Sequence, residues 1–301
     1  MMNKFYLVLV SLFIVTAAFP QEGEQRNYYP DGMIKEIFSV KEGKINGEYR
    51  KFSPSGVLTE KLNYLDGKIE GECATYYETG ILKEKYTLLN EKLNGEYKVY
   101  YPSGSLREAL DYVNGTIHGP YFSYHPNGRL KTSANFINGW QEGEAESYYE
   151  NGKPEVIAFY ARNLQQGEVK YFYPSGKLKG IWNYFDGKMH GKAFELNEAG
   201  DTLEVVNYEF GRRDSISRAF YPKNILRSKI NYERGLKEGV AYSYYASGKL
   251  WTQQNFVNNK REGETKIFRE DGSLWFIETF KGDSLIKSDE FPIKNEKKKK
   301  K

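Results

Sequence analysis

Apolar and polar residues alternate over short stretches of this chain instead of recurring at helical spacing. Copies such as LKEKYTLL and GEYKVYY are rich in aromatic and β-branched residues and are bounded by turns that contain glycine. Stretches of this length and composition predict β-strands, and two of them joined by a tight turn predict a β-hairpin. The chain is therefore expected to be all-β.

The hairpins recur with a period of 24 residues. Stepping by 24 from Gly104 meets glycine at ten of eleven marks and Asn224 at the other. Asn is the non-glycine residue that best tolerates a positive φ angle, so the exception also fits a turn. A strict period of this length indicates an array of identical units, each in contact only with its neighbours. The marks with glycine are Gly32, Gly56, Gly80, Gly104, Gly128, Gly152, Gly176, Gly200, Gly248 and Gly272.

Each repeat is predicted to contain two turns and two strands. With the marked glycine as position 0, further glycines recur at +11 and +15, as in Gly67 and Gly71. The turn Pro102-Ser103-Gly104 and the turn Asp66-Gly67-Lys68 use residues that accept positive φ or pre-set a turn. The first strand then covers +2 to +9 and the second +15 to +21. We expect an elongated, single-layer antiparallel meander of about ten 24-residue hairpins.

One face of this sheet is predicted to be apolar and the other polar and solvent-exposed. Position +8 is apolar in every repeat, whereas +7 is Asn in six. In the second strand, position −4 from the next mark is aromatic in ten of eleven repeats and −3 is Tyr in seven, so strict alternation fails there. Either a β-bulge or partial cover of both faces explains this.

A single layer has no second sheet to pack against, so we expect the aromatic stripe at −4 to supply most of the core. The predicted structural residues are the turn glycines Gly56, Gly80, Gly104, Gly128, Gly176 and Gly248 and the stripe residues Tyr76, Tyr100, Tyr124, Tyr148, Phe172 and Tyr244.

The sequence offers no catalytic, cofactor or metal site, and an enzyme is not predicted. The three histidines, His118, His125 and His190, occupy repeat positions and are interpreted as structural. Glu recurs at +4 and +16 in the manner of solvated residues, and the glycines lack the signature of a phosphate-binding loop. Cys73 is the single cysteine and stands where other repeats have Tyr, Val or Ala, so we expect a small buried residue without a disulfide.

The net charge of +4 is concentrated at the ends of the chain. Removing Lys297–Lys301 and Lys4 leaves 4 − 5 − 1 = −2 for the residues between them. A nearly neutral body lacks the basic face that nucleic-acid binding requires. No nucleic-acid partner is expected.

The N-terminus is predicted to direct export. Lys4 precedes an apolar run and the small residues Thr16-Ala17-Ala18, which is the layout of a signal peptide over residues 1–18. A retained membrane anchor is the alternative, although the uncharged run is short for a bilayer span. The rest is predicted as a short lead (19–27), the repeat array (28–290) and a Lys-rich disordered tail (291–301), in a periplasmic, outer-surface or secreted protein.

The unit G-x-L-x5-Y-x2-G-K-x2-G-x-Y-x2-Y-Y-P-x-G resembles the MORN repeat, and more closely its variant in bacterial proteins of the YwqK antitoxin-like family. The resemblance covers roughly residues 24–290. Tyr64-Leu65-Asp66-Gly67 has one residue more than the usual Tyr-x-Gly, which points to the variant. The resemblance implies an elongated single sheet of hairpins that contacts proteins or membrane surfaces.

Three functions follow as hypotheses. The first is an exported scaffold that binds another protein through its repeat surface. The second, implied by the resemblance, is an antitoxin or immunity-type inhibitor, and the third is an envelope glycan binder that uses aligned Tyr and Asn. The repeats depart most from their consensus at Pro154, at Leu196-Asn197 and at 213–217. A binding patch is expected where repeats differ, although simple decay of the repeat also explains such differences.

Overall fold

The computed structural model describes residues 21–292. By its contacts this part of the chain divides into a first unit, 21–94 with 102–104, and a second unit, 95–101 with 105–292. The predicted signal peptide and most of the predicted tail lie outside the described residues. Within 21–292 no helix is long and apolar enough to span a bilayer. The first strand begins at Gly23, inside the segment predicted as a lead.

The described residues form 29 strands and one short 3-10 turn, Pro222–Asn224. The first unit contains β1 (Gly23–Tyr28), β2 (Ile34–Lys41), β3 (Lys44–Ile45), β4 (Gly47–Phe52), β5 (Leu58–Leu65), β6 (Lys68–Ile69), β7 (Gly71–Tyr76), β8 (Leu82–Leu89) and β9 (Lys92–Leu93). The second unit contains β10 (Gly95–Tyr100), β11 (Leu106–Val113), β12 (Thr116–Tyr124), β13 (Leu130–Ile137), β14 (Trp140–Gln141), β15 (Gly143–Tyr148), β16 (Pro154–Ala161), β17 (Leu164–Phe172), β18 (Leu178–Phe185), β19 (Lys188–Met189), β20 (Gly191–Leu196), β21 (Thr202–Glu209), β22 (Arg212–Tyr221), β23 (Ile225–Glu233), β24 (Leu236–Lys237), β25 (Gly239–Tyr244), β26 (Leu250–Val257), β27 (Lys260–Phe268), β28 (Leu274–Lys281) and β29 (Ser284–Glu290).

The predicted all-β antiparallel meander of hairpins is confirmed. Within each unit, neighbouring strands pair antiparallel, as β4 does with β5 and β12 with β13. In several repeats the second strand is split into a two-residue piece and a six-residue piece. Gly71 begins one such longer piece with φ of 88°, a left-handed conformation that favours glycine.

The two predicted turns have distinct geometries. Asp66 and Gly67 both have positive φ, 52° and 82°, between the paired residues Leu65 and Lys68. This is the two-residue type I′ turn, whose twist matches that of the flanking strands. At the other turn the Gly128 N–H donates to the His125 carbonyl at 2.8 Å, and Gly128 itself is left-handed.

A β-bulge recurs at one place in every repeat, and it explains the broken alternation. The pairing register shifts just before position −4, as between Ser123 and Tyr124 and between Ser243 and Tyr244. The shift places the −4 aromatic opposite the +2 residue of the next strand, so that Tyr244 faces Leu250. Of the two explanations that the sequence left open, the bulge is the one that the structure shows.

The expectation that the −4 stripe supplies most of the core is wrong. Those aromatic rings are half-buried, and Tyr28 is 55% exposed. The most deeply buried apolar side chains are mainly aliphatic or small and occur mainly at +6, +17 and +19, with Phe280 at +8 a large exception. The buried apolar residues at +6, +17 and +19 are Leu62, Cys73, Val99, Leu110, Ala134, Ala158, Val169, Ala193, Val206, Ala219 and Ala241.

We call the side chains at +4, +6, +8, +17 and +19 the packed face, and those at +5, +7, +9, +16 and +18 the open face. Glutamates at +16, such as Glu72, lie exposed on the open face as predicted. Glutamates at +4 do not, which corrects the prediction of a solvated row. Glu36 and Glu60 lie partly buried on the packed face beside Tyr49, where burial and then their charges raise the pKa of that tyrosine.

The outermost strands carry charge along their length. In the first unit β1 includes the ion pair Arg26–Glu24, with N and O atoms 2.7 Å apart. In the second unit β29 includes Lys287, whose ammonium lies 2.6 Å from Asp289. Charged side chains on an edge strand oppose pairing with another chain.

Candidate interaction surface

The −3 side chain links many of the repeats to the next one, whereas Ser53 and Asn197 at this position bond within their own turns. The Tyr149 hydroxyl donates to the Phe172 carbonyl at 2.8 Å, and Tyr173 donates to the Leu196 carbonyl at 2.7 Å. His125 replaces tyrosine at this position, and its Nε2 lies 2.8 Å from the Tyr148 carbonyl. The other bonds of this tyrosine ladder run from Tyr29 to Phe52, Tyr101 to Tyr124, Tyr221 to Tyr244 and Tyr245 to Phe268.

A second set of links runs through position +14. The Glu70 carboxylate accepts a bond from the Asn90 N–H at 2.8 Å, and Glu238 accepts one from Asn258 at 2.9 Å. His118 replaces the carboxylate in the same role, because its Nδ1 accepts from the Asn138 N–H at 3.3 Å. At His190 this link is missing: its buried Nδ1 has no hydrogen bond, and the ring centroid lies 4.9 Å from that of Phe210.

Three of the six asparagines at +7, Asn63, Asn183 and Asn255, donate to backbone carbonyls within the sheet. The amide groups of Asn63 and Asn183 donate to the carbonyls of Glu72 and Lys192, at 2.8 and 2.7 Å. In each of these two bonds the acceptor carbonyl belongs to the residue directly after the left-handed glycine at +15. These amides, like the −3 hydroxyls, hold neighbouring backbone segments together.

An exposed apolar row follows position +9 on the open face. In the first unit it includes Leu65 and Leu89, and in the second Val113, Ile137, Phe185 and Val257, all between 41% and 56% exposed. Four consecutive +11 turns of the second unit add larger side chains to it. We call these, Trp140, Leu164, Phe185 and Phe210, the apolar corner; each is 45% to 54% exposed.

The corner departs from the chemistry of the other turns. Position +12 is Lys in Lys44, Lys68 and Lys92 but Trp140 and Leu164 here. The Phe185 and Phe210 ring centroids lie 6.3 Å apart in an edge-to-face arrangement, and His190 packs against both. The signal in the sequence is the replacement of Lys by Trp140 and Leu164 at +12 and the aromatic Phe210 at +10, positions that neither the glycines nor the −4 stripe include.

The predicted structural residues occupy turns and bulges. Gly56, Gly80, Gly104, Gly128, Gly176 and Gly248 are all left-handed, with φ between 79° and 87°. Tyr76, Tyr100, Tyr124, Tyr148, Phe172 and Tyr244 are half-buried at the bulges, one in each of six repeats. They form no single pocket; each belongs to its own repeat.

Reactive groups are few on this surface. Among residues 21–292 no three His, Cys, Asp or Glu side chains come together as a metal site. Cys73 is buried as predicted, and burial raises the pKa of its thiol, which lowers the fraction of reactive thiolate. Burial likewise raises the pKa of Tyr86 and Tyr171 on the packed face.

Similarities to solved structures are weak. The chain matches one from the Photorhabdus luminescens Tc holotoxin pore with mutation TccC3-D651A at 11% identity and a TM-score of 0.19, over 86% of this chain and 18% of that chain. It matches one from the crystal structure of TcdB2-TccC3-Cdc42 at 10% identity and a TM-score of 0.18, over 83% and 18%. This chain thus spans under a fifth of those chains. No curated protein matches it.

The repeat itself is recognised along most of the chain. The MORN repeat variant matches eight segments, 21–42, 45–66, 69–90, 93–114, 117–138, 141–161, 165–186 and 237–258, which together make up more than half of the sequence. Each segment contains a second strand, the turn at position 0 and the first strand that follows it, and no segment matches within 187–236. The chain belongs to the family of proteins built from the MORN repeat variant.

Proposed function

We propose that this chain is a non-enzymatic, exported scaffold that binds another protein through its repeat surface. The observation that carries the proposal is the exposed apolar row with its apolar corner. Soluble proteins seldom expose contiguous large apolar side chains unless these contact a partner. Aromatic residues are also enriched at the centres of protein interfaces, where charged residues are depleted.

Export rests on the sequence of residues 1–18, and the partner is therefore sought in the cell envelope or outside the cell. An antitoxin or immunity-type inhibitor is one special case of such binding, and the YwqK-like resemblance is what suggests it. A glycan-binding role is less favoured, because many of the −3 tyrosine hydroxyls and half of the +7 amides that it would need donate to backbone carbonyls.

The test is affinity purification from the envelope fraction with a tagged full-length chain, followed by mass spectrometry. We expect the wild-type chain to retain one protein reproducibly and the triple variant Trp140→Ser, Phe185→Ser, Phe210→Ser to lose it. Because Phe185, Phe210 and His190 pack against one another, the variant should unfold at a lower temperature than the wild type, and retention is compared at a temperature where both are folded. Ile286→Ser, which removes an exposed apolar residue from β29, is the control and should retain the partner. Equal retention by the triple variant would exclude the apolar corner as the binding surface.

A further inference from the structure

A hollow of about 190 Å³ opens on the packed face of the second unit. Its lining includes Trp182, Glu195, Glu204 and Tyr208, on β18, β20 and β21. The hollow exists because the residues around it are small. Position +4 is Gly180, where five other repeats carry Glu, and position +17 is Ala193, where three other repeats carry Tyr. The Trp182 ring lies against Gly180 so closely that a Cβ there would be 2.7 Å from it.

Two carboxylates face each other across the strands of this hollow. Glu195 on β20 is the direct partner of Glu204 on β21. Like charges directly opposite in a sheet are destabilising. At the same register in the first unit the pair is Lys51 with Glu60, whose charged atoms lie 2.9 Å apart. The same pair of positions can thus hold a glutamate with a cation opposite it.

The chain neutralises only one of the two carboxylates. Arg213 lies 3.0 Å from Glu204, and its guanidinium is also held over the Tyr232 ring, 5.6 Å from the centroid. In the described part of the chain no Lys, Arg or His forms an ion pair with Glu195. The carboxylates of Glu195 and Glu204 and the guanidinium of Arg213 sum to one negative charge. This charge lies beside the Trp182 and Tyr208 rings. Those are the groups that bind a cation through charge and through the faces of aromatic rings.

The hollow lies where a matched segment, which contributes Trp182, is followed by the stretch in which the repeat diverges. Glu195, Glu204 and Arg213 all fall within 187–236, the stretch that the repeat variant does not match. The neighbouring Leu196-Asn197 replaces the aromatic pair at −4 and −3. A like-charged pair in such a stretch is the kind of locally unfavourable feature that indicates a functional role.

We propose that this hollow binds a cationic side chain, Lys or Arg, of a protein partner. The proposal rests on the proposed function and names one contact of it. The incoming cation supplies the positive charge that Lys51 supplies in the first unit, where Lys51 stands at the position of Glu195: it pairs with Glu195 and lies against Trp182.

The probe is an acetylated tetra-arginine peptide with a fluorescent label, titrated with the full chain at low ionic strength. The matched neutral probe is tetra-citrulline, which keeps the shape of the side chains without their charge. We expect saturable binding of tetra-arginine alone. Glu195→Gln should weaken it about fivefold or more, since one charge-assisted contact is lost. Glu168→Gln, which removes an exposed carboxylate from the open face, should leave it within about twofold.

Glu195→Lys tests the same contact from within the chain. It recreates the pair seen at Lys51 and Glu60, so it should abolish peptide binding and shift the unfolding temperature upward. Glu195→Gln should also shift it upward, because the repulsion is relieved. Equal effects of Glu195→Gln and Glu168→Gln would overturn the proposal, as would equal binding of tetra-citrulline. Saturable binding of calcium chloride that Glu195→Gln abolishes would identify a metal site and would also overturn it.

The two proposals fail in different ways. If the envelope protein is retained equally by wild-type and Glu195→Gln chains while tetra-arginine binding does not depend on Glu195, the cation site fails and the scaffold function stands. If no envelope protein is retained but tetra-arginine binding depends on Glu195, the scaffold function fails and the site stands.

Discussion

The tyrosine ladder makes a quantitative prediction at Tyr245. Its hydroxyl donates to the Phe268 carbonyl at 2.8 Å in a partly buried position. Tyr245→Phe removes one such bond and leaves every ring contact in place. A buried or partly buried hydrogen bond contributes about 1 kcal/mol to the free energy of unfolding. Because water can partly replace the hydroxyl as a donor to the Phe268 carbonyl, we expect the free energy of unfolding to fall by about 1 kcal/mol and by no more than about 1.5 kcal/mol.

The neighbouring residue provides the control. Tyr244 is also a half-buried tyrosine in the same turn, but its hydroxyl forms no hydrogen bond among the described residues. Tyr244→Phe likewise removes a phenolic hydroxyl, but no hydrogen bond between repeats is lost with it. We expect it to change the free energy of unfolding by less than about 0.5 kcal/mol.

Equilibrium urea denaturation with both variants measures the difference, provided that the slope of the free energy against urea stays constant. A repeat array can open in parts, so amide hydrogen exchange is the second assay. A loss of about 1 kcal/mol accelerates exchange roughly fivefold for amides next to Phe268, if these exchange through local opening. Equal effects of the two substitutions, or acceleration spread evenly over the chain, would refute the ladder as a local link.

Three further predictions concern other parts of the sheet. Gly128 is left-handed, and a Cβ added to it would meet no atom within 4 Å, so Gly128→Ala should cost about 1–2 kcal/mol through backbone strain alone, and Gly128→Asn less, in thermal unfolding. Burial raises the pKa of Tyr49, Tyr86 and Tyr171, so the unfolded chain releases their protons first; stability should be complete below about pH 10 and fall above it, as circular dichroism and tyrosinate absorbance can show. Replacing Lys287 and Asp289 on β29 by Thr should promote aggregation, measured by light scattering against the wild-type chain.

Much of the fold was predictable because the period is strict. The type I′ turn at Asp66-Gly67 follows from residues that tolerate positive φ, and the bulge at −4 was one of two explanations for adjacent tyrosines. The core was not predicted correctly. Large rings at −4 suggested burial, but in one layer the fully covered residues are small ones such as Ala158 and Val169.

Less of the candidate sites could be predicted from the sequence. A link such as Tyr149 to Phe172 joins residues 23 apart, and nothing in the local sequence indicates that partner. The Glu195–Glu204 pair depends on the cross-strand register, which the recurring bulges set. The divergence of the repeats around Leu196 was visible, but only the structure shows that it coincides with a hollow.

The tyrosine ladder also affects how such a gene can change in length. Every bond of the ladder joins residues 23 apart, so each repeat that follows a ladder residue offers it the same acceptor at the same place. Removing residues 129–152 would give His125 the carbonyl of Phe172 in place of that of Tyr148. Unequal recombination between repeats can therefore shorten or lengthen the protein in a single event without a new interface having to evolve.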